Sequence, residues 1–371
     1  MRWTPPSDTP VVAPASTEEA AEVLRAAAAD DLAVLIRGNG TKLAWGLPPR
    51  RLDLIVDTRR LSGVVEHAAG DLIAVVRAGT PLTDLDFGTQ QLALDSPLPG
   101  ATIGGAIAAG TSGPRRLRYG TARDLLIGMT VVRPDGTVTR SGGKVVKNVA
   151  GYDLSKLFAG SAGTLGLITE CAFRLHPAPP AQAVVVREAP AAELGALLAA
   201  IRAEQVVPSA VEINRQDTGP VTLAVLVEGT ADGVGARAAR LEKVLSGTIG
   251  TVPPWWNVLP WPPDGVGVKL TAALSQVPAL IEAASGGTIR GSAGTGVFYA
   301  HVTGDGPTTV AKLRAAATRA GGHAVVVTAP EQIRQQVDVW GPVPGLDLMR
   351  RVKDRFDPGH QFAPGRFVGG I

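Results

Sequence analysis

Residues 142–170 read GGKVVKNVAGYDLSKLFAGSAGTLGLITE. The stretch is too rich in glycine for an ordinary helix and too apolar for a solvated linker. Lys144 and Lys147 flank two valines, Asn148 follows, and then comes the cluster Gly160-Ser161-Ala162-Gly163-Thr164-Leu165-Gly166. Glycine permits positive φ and lets another group approach the backbone closely. The apolar run 165–175 reads as a strand, so the cluster stands immediately before one. The stretch therefore asks what lies against its backbone.

Two further glycine-rich segments precede it. Arg37-Gly38-Asn39-Gly40-Thr41-Lys42 follows the short apolar strand 33–37. Successive N–H groups in such a turn make a concave anion site, and Arg37, Thr41 and Lys42 add donors. The Gly-Lys-Ser/Thr ending of a Walker A loop is missing, and the second half of the glycine spacing departs from the dinucleotide fingerprint. Pro99-Gly100-Ala101-Thr102-Ile103-Gly104-Gly105 runs into an alanine-rich helix, with Thr102 at its start; a helix start beside a glycine turn suits a phosphate or a flavin edge. The turn Gly110-Thr111-Ser112-Gly113 follows. Three such segments in one domain, the first of them basic, point to one extended phosphate-bearing ligand. Gly291-Ser292-Ala293-Gly294-Thr295-Gly296 mimics a nucleotide loop, but strand-like Val297-Phe298-Tyr299 follows it, which a plain turn explains better.

The chain has 371 residues, enough for two domains. Hydrophobic residues make up 45%, which supports a sizeable core. The net charge of +3 comes from dispersed basic residues, so no nucleic-acid surface is expected. The local run Arg115-Arg116-Leu117-Arg118 reads as a solvated loop or as a loop over a polyanionic cofactor. The single cysteine, Cys171, lies in a strand-like run; one thiol cannot hold an iron–sulfur cluster or a thiolate metal site. No apolar run reaches the length of a membrane-spanning helix, and residues 1–14 lack the order of a signal peptide, so a location in the cytoplasm, or at a membrane through partner subunits, is expected.

Along the chain, Ser16 and Glu19 form a capping box for an alanine-rich helix up to residue 30. Strands are expected at 52–57 and 72–77, a helix at 81–91 with Pro81 in its first turn, and a hairpin of 126–133 with 137–141 around Pro134-Asp135-Gly136. His176-Pro177-Ala178-Pro179-Pro180-Ala181 marks a domain boundary. Beyond it two β-α-β-β-like rounds follow, one at 183–246 and one at 266–327, which predicts an antiparallel sheet backed by helices. Between them lies Pro253-Pro254-Trp255-Trp256-Asn257-Val258-Leu259-Pro260-Trp261-Pro262-Pro263, a stiff loop that reads equally as a lid or as packing on the chain's own sheet. A helix at 346–356 and the tail 362–367 close the chain. The fold class is α+β, with three segments: 1–177, 178–340 and 341–371.

The segments RGNGTKLAWG (37–46), PGATIGGAIAAGTSGPRRLRYGTARDLLIGMTVVRPDG (99–136) and GSAGTLGLITE (160–170) resemble, in order and spacing, the FAD-binding domain of the vanillyl-alcohol-oxidase or PCMH-type superfamily. Residues 142–166 and the tail VDVWGP…MRRVKDRFDPGHQFAPGRF narrow the resemblance to the smaller, GlcE-type FAD-binding subunit of bacterial glycolate oxidase. This resemblance implies a PCMH-type domain of two α/β subdomains over 1–177, a ferredoxin-like α+β cap over 178–340, and a C-terminal segment that returns to the FAD domain. It implies FAD against Arg37, Gly38, Asn39, Gly40, Thr41 and Lys42 at the pyrophosphate. Pro99, Gly100, Ala101, Thr102, Gly104, Gly105, Gly110, Thr111, Ser112, Gly113 and Tyr119 would run along the flavin and pyrophosphate. Asn148, Gly160, Gly163, Thr164, Gly166 and Ile168 would line the flavin and adenine. Covalent relatives carry His in the first loop or Cys in the second; Lys42 stands in the first and the second lacks Cys, so the FAD is expected to dissociate.

The resemblance further implies a larger flavoprotein subunit and an iron–sulfur subunit as partners, and glycolate or another small 2-hydroxy acid as substrate. His301 is a candidate catalytic residue, since His301-Val302-Thr303-Gly304-Asp305-Gly306-Pro307 approaches the His-x-Gly-Asp-Gly-Asn segment of related D-2-hydroxy-acid dehydrogenases. It is one residue longer and has Pro307 where Asn would stand, so a strand ending in a Gly-Asp-Gly turn accounts for it equally well. No second histidine at metal-ligand spacing accompanies it, so no metal is expected. Two other readings stand beside the subunit assignment: a self-sufficient FAD-dependent 2-hydroxy-acid or sugar-acid dehydrogenase, and a structural subunit that retains the fold without redox work. Relatives often have Glu where Ala162 stands and Asn where Ala363 stands.

Overall fold

A computed structural model describes residues 3–143, 153–284 and 287–371. The chain divides into two compact units. One comprises Trp3–Ser112, Gly120–Ala178 and Val343–Ile371; the other comprises Gly113–Tyr119 and Pro179–Pro342. Gly113–Tyr119 lies inside the first unit by sequence but packs with the second.

In the first unit, β1 (Val11–Val12), β2 (Val34–Arg37) and β3 (Leu54–Asp57) form a parallel sheet in the order β1-β3-β2. β2 and β3 are near-continuous apolar runs, as parallel strands covered on both faces require. The helix Thr17–Ala29 packs on them through Ala20, Ala21, Leu24 and Ala27, small residues that let the helix lie close. Ser16 Oγ accepts from Glu19 N at 3.1 Å, while the Glu19 carboxylate reaches Ala15 N rather than the cap residue itself. A five-stranded antiparallel sheet follows in the order β4-β5-β9-β7-β8: β4 (Val64–Ala68), β5 (Ile73–Arg77), β7 (Leu126–Val132), β8 (Val138–Gly142) and β9 (Leu167–Arg174). β6 (Gln90–Gln91) pairs with β10 (His176–Pro177).

The helix expected at 81–91 does not form. Only a 3₁₀ turn, Leu82–Asp84, appears before β6. Asp86 Oδ1 accepts from Gly88 N at 2.9 Å, and Gly88 has φ 64°, a local turn that competes with helical hydrogen bonding.

The C-terminal segment belongs to this unit. The helix Leu346–Phe356 places Phe356 edge-on to Phe158, and the tail joins β2 through a parallel bridge between Val34 and Phe362. Val34 N donates to Gln361 O, and Ala363 N donates to Val34 O. Phe362 is fully buried with Val34, Leu54 and Leu167.

In the second unit eight antiparallel strands form one sheet: β11 (Ala181–Ala189), β12 (Ala210–Gln216), β13 (Val221–Gly229), β14 (Thr248–Gly250), β15 (Val266–Thr271), β16 (Thr288–Ser292), β17 (Val297–Val302) and β18 (Ala324–Thr328). The order β14-β11-β13-β12-β16-β17-β15-β18 is two β-α-β-β-α-β rounds joined edge to edge by β12 and β16. The helices Leu194–Ala203, Ala231–Leu245, Val277–Ala283 and Gly306–Arg319 are the crossovers. Trp255 and Trp256 pack on Val184, Ala210, Ala224 and Leu226, and Trp261 meets Tyr299 edge-on with ring centroids 5.8 Å apart. The tryptophan loop thus packs on the chain's own sheet.

Candidate functional site

The first glycine segment leaves the C-terminal end of β2. Arg37 pairs with Asp57 at 2.8 Å across the ends of β2 and β3. Arg59 grips the same carboxylate, and the hydrogen bonds from both guanidinium groups hold Asp57 below the ordinary carboxylate range against the opposing effect of burial. Gly38 has no room for a side chain: a Cβ there would stand 2.4 Å from Thr102 Oγ1. Asn39 Nδ2 donates to Gly100 O at 2.8 Å, and Gly40 adopts φ 72°. Lys42 Nζ reaches Thr41 Oγ1 at 3.3 Å. Among the described residues no carboxylate pairs with Lys42, and burial lowers its pKa to about 8.

The second segment starts with a turn in which Gly100 has φ 73°. Pro99 is exposed, and Ala101 is buried with its carbonyl accepting from Leu82 N. Thr102 caps the helix Ile103–Ala109, its hydroxyl accepting from Gly105 N at 3.3 Å. A Cβ on Gly105 would stand 3.9 Å from Lys42 Nζ, so the first two segments meet here. Gly104 is a packing glycine, its missing Cβ replaced by Ala78. Gly110 ends the helix with φ 60°. Thr111 folds back on Ala106 O, and Ser112 Oγ accepts from Ala122 N.

The third segment lies against the end of the same helix. Gly160 N donates to Ile107 O at 2.9 Å and Ala162 N to Ala108 O at 2.7 Å, which occupies carbonyls that a helix end leaves open. A Cβ on Gly110 would stand 3.4 Å from Gly160 Cα. Gly160 (φ 88°) and Gly163 (φ 75°) differ from the packing glycines: a Cβ on either would meet nothing within 4 Å. Between them Ser161 is buried, and its Oγ has no hydrogen-bond partner among the described residues. Thr164 is structural, its hydroxyl closing on Ser161 O at 2.7 Å. Gly166 makes room for Val131 and Phe158, and Ile168 is a buried residue of β9.

Residues 38–42, 100–105, 110 and 160–163 therefore form one cradle around the helix Ile103–Ala109. Its polar groups fit a polyanionic, flat ligand: among the described residues, a partly desolvated ammonium without a counter-charge, an unsatisfied buried hydroxyl, and two open positive-φ glycines. Ser161 was not among the residues singled out from sequence; a serine between glycines carries no signal until its hydroxyl is seen to be orphaned. Gly113 and Tyr119 belong to the second unit. Asn148, with Lys144, Lys147 and Tyr152, lies outside the described residues.

In its unit the run Arg115-Arg116-Leu117-Arg118 is tied to the sheet by side-chain contacts, with Arg118 exposed. Arg115 pairs with buried Glu228 at 3.2 Å, Tyr119 Oη donates to the same carboxylate, and Arg118 donates to Glu228 O and Ser209 Oγ. Leu117 fills the space over Gly294, which accounts for that glycine in the β16–β17 hairpin.

The second unit also carries a polar row. The register aligns Asn214, Arg290, Tyr299 and Lys269 across four adjacent strands, so all four share one face. Arg290 Nε donates to Asn214 Oδ1 at 3.0 Å. Burial lowers the pKa of Lys269, with the Arg116 charge adding to it, lowers that of Arg290, and raises that of Tyr299. His301, two positions from Tyr299, shares that face, and burial lowers its pKa. Gly304-Asp305-Gly306 turns from β17 into the helix Gly306–Arg319, and Pro307 occupies its first turn, which explains the proline locally. Among the described residues no group of His, Cys, Asp and Glu could hold a metal ion.

Residues 9–142 match the family model described as FAD binding domain. An uncharacterized FAD-linked oxidoreductase of Mycobacterium tuberculosis is 36% identical over 192 residues, 51% of this chain and 41% of that protein. Glycolate oxidase subunit GlcE of Escherichia coli is 38% identical over 173 residues, 45% of this chain and 49% of that protein. Glycolate oxidase subunit GlcD of Bacillus subtilis is 36% identical over 174 residues, 46% of this chain and 37% of that protein. The matches thus span half or less of these relatives' lengths. Among solved structures, an alkyldihydroxyacetonephosphate synthase superposes with TM-score 0.70 at 17% identity, over 95% of this chain and 76% of that one. A xylooligosaccharide oxidase from Myceliophthora thermophila gives TM-score 0.69 at 17% identity, over 95% and 90%. Residues 9–142 thus carry an FAD-binding domain, which supports FAD as the cofactor.

Proposed function

We propose that this chain is the FAD-binding subunit of a glycolate oxidase-type complex that oxidises a small 2-hydroxy acid. The observation that carries the cofactor site is the cradle: among the described residues, half-buried Lys42 without a counter-charge, Ser161 Oγ unsatisfied, and Gly160 and Gly163 open. In this reading Lys42 and Thr41 bind the pyrophosphate, with Asn39 fixing their loop to Gly100. Gly160 and Gly163 admit the ring system, and Ser161 Oγ donates to it. When bound, the flavin supplies the acceptor for the two electrons leaving the substrate's carbinol carbon. With Lys42 in the first loop and the only cysteine buried in β9, FAD is held without a covalent bond. Similarity to both glycolate oxidase subunits supports a larger flavoprotein subunit and an iron–sulfur subunit as partners. No helix among the described residues is long and apolar enough to cross a membrane.

A second reading, a dehydrogenase active alone, is favoured by the polar row: Arg290 and Lys269 are cations on the sheet face, and Tyr299 adds a hydroxyl, a donor set suited to a carboxylate. Anaerobic glycolate or D-lactate separates the two. Bleaching of the flavin with this chain alone supports the second reading; bleaching only after the partner subunits are added supports the first. Purified chain that neither carries nor takes up FAD overturns both.

A further inference from the structure

We propose that the C-terminal segment is a clasp that sets the two outer loops of the cradle for the cofactor, with Arg366 and Lys353 as its positioning residues; this rests on the reading of the cradle as the FAD site. The two cations reach the two loops from one segment. Arg366 Nη2 donates to Lys42 O at 3.0 Å and to Leu43 O at 2.8 Å. Its guanidinium is buried over the Trp3 ring, 5.6 Å from the centroid. The backbone on either side is tied as well: Leu47 N donates to Arg366 O and Arg50 N to Pro364 O.

Lys353 does the same for the third loop. Its ammonium is 0% exposed and donates to Thr164 O at 2.8 Å, to Phe362 O at 3.3 Å and to Asp357 Oδ2 at 2.5 Å. Asp357 in turn accepts from Phe362 N at 2.8 Å and Gln361 N at 3.0 Å. One buried ion pair therefore joins the helix Leu346–Phe356, the tail and the carbonyl of Thr164, the residue directly after the third cradle segment. A buried pair of this kind is weak evidence for stability, because desolvation opposes the attraction. What it fixes here is direction. In a trans peptide the C=O and N–H point opposite ways, so a Thr164 carbonyl held on Lys353 turns the Leu165 N–H to the other side. Arg366 likewise fixes the peptides that follow Lys42 and Leu43. The loops are then set before ligand arrives, and less of the binding free energy goes to ordering them.

The test uses the full chain: wild type, Arg366→Gln, and Lys353→Met combined with Asp357→Asn. The paired substitution removes both charges together, so no lone buried carboxylate is left to unfold the protein. Two quantities are read: the Kd for FAD, from quenching of flavin fluorescence, and amide exchange of 40–46 and 160–166 in the cofactor-free protein. A drop in the binding-competent fraction to about a tenth raises Kd about tenfold, and that is the size expected in each variant. Exchange should accelerate loop by loop: 40–46 in the Arg366 variant, 160–166 in the Lys353 pair. A merely structural tail predicts lower global stability with Kd within about twofold of wild type and both loops equally protected; that result overturns the clasp. Folded wild type that takes up no FAD sinks the cofactor reading instead, and is seen before any variant is made.

Discussion

Replacing Lys42 by methionine should strengthen the cofactor-free protein and weaken its hold on FAD. Burial brings the Lys42 pKa from 10.5 down to about 8. That difference corresponds to a desolvation penalty of about 3 kcal/mol on the charged form. The sign follows from proton counting. Between about pH 8 and 10.5 the unfolded chain holds the Lys42 proton and the cofactor-free fold does not, so stability rises with pH across that window. At pH 7 the penalty is present in full, and Lys42→Met relieves it; a gain of about 1–3 kcal/mol is expected, read as the urea midpoint at constant m. FAD reverses the balance. In the proposed site a pyrophosphate oxygen about 4 Å from the ammonium would contribute about 4 kcal/mol at an effective dielectric of 20, enough to return the pKa toward its ordinary value. Binding then takes up a proton above about pH 8, so the Kd for FAD is flat below that pH and rises above it by up to about tenfold per unit. In Lys42→Met the slope vanishes and the Kd at pH 7 rises roughly 10–100-fold. Fluorescence titration with FAD at several pH values between 7 and 9.5 reads both effects. A wild-type Kd independent of pH, or the same slope in the methionine variant, refutes Lys42 as the pyrophosphate ligand.

Three shorter predictions follow from the same geometry. Gly163→Ala meets no protein atom but forces a side chain to φ 75°, so the cofactor-free protein should lose only about 1–2 kcal/mol while FAD binding falls at least about tenfold, seen by comparing urea midpoints with titrations. Lys353→Met alone strands the buried Asp357 carboxylate and should cost about 3–5 kcal/mol in urea unfolding, against less than about 2 kcal/mol when Asp357→Asn accompanies it. Arg290→Met should leave the Kd for FAD unchanged; under the reading in which this chain works alone, it weakens binding of a small 2-hydroxy acid, followed by flavin bleaching, roughly tenfold or more.

The glycine segments announced a ligand, but they did not announce which glycines are left open. Gly38, Gly104 and Gly166 look the same in sequence as Gly160 and Gly163. They differ because Thr102, Ala78 and Val131 occupy the space of their missing side chains, and those neighbours are distant in the chain or set by strand pairing. The two β-α-β-β-like rounds were legible because apolar periodicity is local. The three-residue strand β14 was not, since a short exposed edge carries no such pattern. Lys353 sits among Arg350, Arg351, Asp354 and Arg355, where a solvated helix face is the natural reading; only the fold shows that it is buried on Thr164. Ala363 is another case. It holds φ 41° in the buried tail, a conformation that asparagine tolerates better and that the sequence around it does not announce.

The central claim is that the cradle of residues 38–42, 100–105 and 160–163 binds FAD without a covalent bond. Titration of the purified, flavin-stripped full chain with FAD tests it most directly, followed by acid precipitation of the loaded protein and assay of the supernatant. The account predicts saturable, stoichiometric uptake, release of all flavin into the supernatant, and loss of uptake in folded Gly160→Val protein. Folded wild type that takes up no FAD, or a Gly160→Val protein that binds it as tightly as wild type, would contradict it.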